Sequence, residues 1–186
     1  MFMKDEIEWL NGWTAASHAV GGAWGVEFLS AIQEIARIEI ELRRRETQYE
    51  GWIKSGNTQA MLSLEATNVF PLSVAWVFLA FEMLRTLIAA IERKFPAYRS
   101  QRKHSLRQAK TIINRLRARL AKHEAAGNSG DTWDVAVLGR RFPMKVGWFL
   151  QDDEFITRRD LADMLRDALI QSANLNAELT NAKARP

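Results

Sequence analysis

His18, His104 and His123 are the three side chains of this 186-residue sequence whose ordinary pKa lets them move a proton near neutral pH, and there is no cysteine. The missing thiols exclude a disulfide framework, an iron-sulfur cluster, Cys-ligated zinc and thiol catalysis. No histidine forms a Glu-x-x-His or His-x3-His pair, the spacings that set two ligands on one helical face, so neither a metal site nor a cofactor is expected. A Gly-rich phosphate loop and a Gly-x-Ser-x-Gly turn are also absent, which removes the usual machinery of nucleotide hydrolysis and acyl transfer. Asp152, Asp153 and Glu154 are consecutive, so their carboxylates diverge, and they read as a solvated loop. The pattern that survives joins arginine to histidine: four residues separate Arg99 from His104, and five separate Arg117 from His123. Histidine can transfer a proton while arginine stabilises charge on a phosphorane.

These two spacings resemble the Arg-x(4 to 6)-His signature of the HEPN-type helical ribonucleases. The run Ala80-Phe81-Glu82-Met83-Leu84-Arg85 is similar to the Ala/Glu/Leu/Lys helix that precedes the catalytic segment in that superfamily. The resemblance covers about half of the chain. It implies a helical fold and attack of an RNA 2′-hydroxyl on the adjacent phosphate, with Arg99, His104, Arg117 and His123 as catalytic candidates, usually across a dimer interface. Where the family commonly has Asn directly after the Arg, this chain has Ser100 and Ala118.

Charge gives a broader signal. From Arg93 to His123 the chain carries eleven cations and no acid, leaving the remainder with 15 cations against all 22 acids. At helical spacing Lys103, Arg107, Lys110 and Arg117 fall on one flank and Arg115, Arg119 and Lys122 on another, either side of an apolar seam. Such a face suits sequence-independent, salt-sensitive contact with phosphates. The residues that would carry it are Arg102, Lys103, Arg107, Lys110, Arg115, Arg117 and Arg119. The cations have other uses open to them: pairing with the protein's own acids, such as Glu34, Glu39, Glu41 and Glu46, contact with an acidic protein partner, or solubility. The seven tryptophans read mainly as core, with Trp133 and Trp148 kept as possible stacking contacts.

The elements that must position these groups are helical. The expected fold is all-α: one four-helix bundle-like domain over residues 1–186, with main helices at 24–53, 68–95, 99–126 and 158–182. A small β-hairpin insertion is expected at 131–151, before the last helix. A short helix at 4–13 and a flexible Gly21-Gly22 pair should precede the first main helix. In that helix Phe28, Ile35, Leu42 and Tyr49 recur every seven residues, and Trp24, Ala31, Ile38 and Trp52 form the second seam position, interrupted at Arg45. The helix at 68–95 is apolar around most of its circumference, apart from a stripe of Ala75, Glu82, Arg85, Thr86, Ala89 and Arg93. Thr157 is the strongest helix-start signal, with Asp160 three residues on. No signal peptide or membrane span is read, so a cytoplasmic location is expected.

The favoured functional reading is a non-enzymatic helical protein whose basic helix binds RNA or DNA. The alternatives are a protein-interaction or self-association module, and the HEPN-like metal-independent ribonuclease.

Overall fold

The computed structural model describes residues 4–56, 69–100, 104–125, 147–149 and 155–183. Five α-helices dominate: α1 (Lys4–Trp24), α2 (Val26–Lys54), α3 (Phe70–Lys94), α4 (Ser105–Ala125) and α5 (Arg158–Lys183). A 3-10 helix, Pro96–Ser100, lies between α3 and α4, and strands β1 (Gly147–Phe149) and β2 (Phe155–Thr157) precede α5. Helix α1 packs on α2 and α5, α2 on α3, α3 on α4, and α4 on α5, closing a ring in which each helix has two principal neighbours. Trp13, Ile32, Trp76, Leu84, Leu87, Leu106 and Leu165 are among the side chains buried at its centre.

The first helix is longer than its sequence suggests. It runs through Gly21 and Gly22 and breaks at Gly25, whose φ of +134° is open to glycine but not to an ordinary side chain. Gly21 serves close packing instead: a Cβ there would stand 2.8 Å from that of Leu29, where α1 hands over to α2. The ring therefore has five members where four main helices were expected.

Helix α2 buries a different seam from the one its apolar residues trace. Phe28, Ile35 and Leu42 are buried as the heptad predicts, while the side chain of Tyr49 lies outside the described residues. The expected second position, Trp24, Ala31, Ile38 and Trp52, is only half-buried. Ile32, Glu39 and Glu46 occupy the interior in its place. Two carboxylates are tolerated there because Arg158, the first residue of α5 and itself fully buried, donates through Nη1 to Glu39 and through Nε to Glu46. Arg43 donates to Glu39 at 2.9 Å and to Asp163 of α5 at 2.8 Å, and its guanidinium stacks 4.3 Å above the Trp9 ring. Arg159 donates to Glu46 at 2.6 Å and pairs with Glu50 at 3.3 Å. Burial pushes the Glu39 carboxyl up to about 7, although Arg158 and Arg43 both pull it down. Arg158 is held above its ordinary pKa: burial opposes its charge, and Glu39 and Glu46 outweigh that.

Helix α3 matches its sequence pattern closely. Pro71 sits in its first turn, and all six residues of the expected polar stripe are exposed, with Arg85 Nε donating to Glu82 at 2.7 Å. By length and composition Pro71–Lys94 would suffice to cross a membrane; here Trp76, Val77, Leu84, Leu87 and Ile91 are buried in the ring while Leu79 is exposed.

A small hairpin precedes α5, as expected. Strands β1 and β2 pair antiparallel, with Gly147 opposite Thr157, Trp148 opposite Ile156 and Phe149 opposite Phe155. Strand β1 falls inside the expected 131–151 and is partnered by 155–157 beyond it, while residues 131–146 lie outside the described residues, as do Asp152, Asp153 and Glu154. Gly147 is required at the pairing, since a Cβ would come within 2.5 Å of the Ile156 carbonyl oxygen. Thr157 then caps α5, its Oγ1 accepting from the Asp160 amide at 3.0 Å.

Candidate nucleic-acid interface

Helix α4 places the charges singled out by spacing. Leu106, Ala109, Ile113, Leu116 and Leu120 are buried and Ile112 is half-buried, so one apolar stripe is turned to the ring and both cationic flanks lie at its edges. The helix begins at Ser105 and not at 99: the chain first makes the 3-10 helix that starts at Pro96.

His104 organises that start. Its carbonyl oxygen accepts from the amides of Arg107 at 2.9 Å and Gln108 at 3.1 Å, and its Nδ1 accepts from the amide of Leu106 at 3.3 Å. A backbone N–H can only donate, so Nδ1 carries the lone pair, the Tyr98 hydroxyl 3.0 Å away donates to the same nitrogen, and the ring proton belongs on Nε2. His104 thus acts as the N-cap of α4, a role that spacing did not reveal. Tyr98 is fully buried, and burial pushes its phenol up to about 12. Its ring meets His104 edge-on at 5.3 Å and lies 4.8 Å beneath the guanidinium of Arg107.

Of the flank expected at Lys103, Arg107, Lys110 and Arg117, Arg107 and Arg117 meet residues of α3. Arg107 Nη2 donates to Glu92 at 2.5 Å and to the Tyr98 carbonyl oxygen at 3.2 Å. Arg117 donates to Asn114 within its own helix and lies 4.3 Å from the centroid of the Phe81 ring. Lys110 is half-buried between them and Arg115 is exposed on the outer side. Of the expected contact residues, Arg102 and Lys103 lie outside the described residues, and so do the side chains of Arg119, Lys122 and the catalytic candidates Arg99 and His123.

Among the described residues, the four acids of α2 that the sequence offered as partners for this helix are paired with arginines of α2 and α5. Glu34 pairs with Arg37, Glu41 with Arg45, and Glu39 and Glu46 with Arg43, Arg158 and Arg159, all within α2 or between α2 and α5. The acid that α4 meets through Arg107 is Glu92, the last one before the acid-free segment, which the sequence reading passed over together with Tyr98. Trp148 is not a stacking contact: it is 1% exposed, and Trp133 lies outside the described residues. Among the described residues no group of three or more His, Cys, Asp or Glu side chains is arranged to hold a metal ion.

The chain matches no family model, no curated protein and no solved structure.

Proposed function

We propose that this protein binds nucleic acid, or another polyanion, along the outer edge of α4. The observation that carries the reading is the eleven-cation, acid-free segment, together with the burial of Glu39 and Glu46 against Arg158. A polyanion on this edge would meet Lys110 and Arg115, with Arg119 on the same helix, while Arg107 and Arg117 anchor the helix to α3. Binding of this kind rests on phosphate contacts, so it is sequence-tolerant and salt-sensitive.

The test is fluorescence anisotropy of a labelled mixed-sequence single-stranded RNA, with EDTA present, at about 50 and 200 mM salt. The expected result is a stable, salt-sensitive complex. Replacing Lys110, Arg115 and Arg119 together by Gln should lower the slope of log affinity against log salt by about 2, the value for three lost phosphate contacts on a single strand. An unchanged slope, or no complex at the lower salt, overturns the reading. A complex whose signal decays with time, and stops decaying in His104→Ala or His123→Ala, would replace it with metal-independent RNA cleavage.

A further inference from the structure

The outward stripe of α2 carries Glu34, Arg37, Glu41 and Arg44 in that order, on the side opposite the buried seam. Arg37 and Glu34 are largely exposed, at 72% and 61% of their side chains, and Arg44 is exposed at 48%. The order is self-complementary. If a second α2 is laid antiparallel with the two-fold axis level with position 39, Glu34 falls opposite Arg44 of the copy and Arg37 opposite its Glu41, and each pair is repeated by the symmetry. All four charges lie within about 15 Å of helix.

The apolar surface beside this stripe continues it. Ile7 and Leu10 of α1 are 47% and 38% exposed, among the few large apolar side chains so placed in the described residues. A groove of about 250 Å³ runs between the two helices, lined by Glu6, Leu10, Arg37, Ile40, Glu41 and Arg44. Helices α1 and α2 pack together, and the 21 residues of α1 give the pair a length of about 30 Å. The pairs these charges now make, Arg37 with Glu34 at 2.7 Å, Arg45 with Glu41 at 2.7 Å and Arg44 with Glu6 at 2.6 Å, are partly or largely exposed and weak, so exchanging or sharing partners costs little.

We propose that this α1–α2 face is a self-association surface on which a second copy of the chain docks with its α2 antiparallel to the first. The surface is distinct from the buried heptad seam and from α4, so the inference stands independently of nucleic-acid binding.

The test is sedimentation equilibrium of the wild type, Arg37→Glu, Glu41→Arg and an equimolar mixture of the two variants, with circular dichroism to confirm that each is folded. The wild type is expected to dimerise, more weakly as salt rises. Each reversal sets like charges opposite one another twice per dimer and should weaken self-association at least about tenfold. The mixture restores attraction at both contacts, so the two variants should pair with each other where neither pairs with itself. The double variant Arg37→Glu/Glu41→Arg should also regain a dimer. A wild type that stays monomeric at the highest soluble concentration overturns the proposal, as does a dimer indifferent to the single reversals or a mixture that fails to associate.

Discussion

Helices α2 and α4 are both long and charged, each with one apolar stripe, yet they satisfy their charges in opposite ways. Helix α2 turns two carboxylates into the protein and closes them with Arg158, so its electrostatics are internal and depend on α5 being in place. Helix α4 keeps its cations at the edge of the ring; of those described, Arg107 is tied to Glu92 and Arg117 lies over Phe81, while Arg115 faces outward. Buried charge costs several kcal/mol per ion to desolvate and is stable only when fully partnered; exposed charge costs little and contributes little. The first arrangement ties the start of α5 to α2 through side chains. The second leaves charge at the surface where a polyanion can reach it.

The contrast predicts a steep gradient in mutational cost. Arg158→Ala removes the buried cation shared by Glu39 and Glu46, leaving them only the partly exposed Arg43 and Arg159, and should lower the unfolding free energy by about 3 kcal/mol, whereas Arg115→Ala should change it by less than about 0.5 kcal/mol. Urea denaturation of the two variants beside the wild type checks the pair. Equal losses would mean that the α2–α5 network is not an internal clamp.

The next effect concerns pH. Glu39 holds its proton up to about pH 7 in the folded chain and releases it near the ordinary 4.5 when unfolded, so its contribution is fully present below pH 4.5 and is lost as pH rises through 7. The loss amounts to about 3 kcal/mol, and Glu39→Gln should remove that slope. The difference in unfolding free energy between wild type and variant, measured at successive pH values from 4.5 to 8, isolates this group. A difference that stays constant, or moves in the wild type's favour as pH rises, would show that Glu39 is ionised throughout.

A smaller effect sharpens the α4 side. Tyr98→Phe removes the hydroxyl that donates to His104 Nδ1 and should cost about 1 kcal/mol, with the cap from Nδ1 to the Leu106 amide retained. The same substitution should leave RNA affinity unchanged, since Tyr98 is buried behind the helix; thermal denaturation and anisotropy together read both outcomes.

Most of the helical architecture is legible in the amino-acid order. The stripes of α3 and α4, the Thr157 cap and the tryptophans at apolar positions follow from helical periodicity and local hydrogen bonding, which depend on neighbours a few residues apart. The length of α1 was not legible, because Gly21 and Gly22 are as compatible with a close helix contact as with a break. Of the candidate site, the sequence marks the basic segment and its two flanks. It does not show that Arg107 and Arg117 are held against the rest of the fold, because the acid and aromatic rings they meet, Glu92, Tyr98 and Phe81, are brought there by the turn at Pro96 and the packing of α3 on α4.

The sequence by itself determined that the chain folds as packed helices, and that its positive charge is concentrated in one of them. Only the tertiary structure decided which α2 seam is buried. By pattern alone, Glu39 and Glu46 belong outside, because a carboxylate is costly to bury without a cation, and the cation lies more than a hundred residues away in the chain. Packing α5 within reach of α2 supplies Arg158, and the seam then includes positions that an apolar count assigns to solvent.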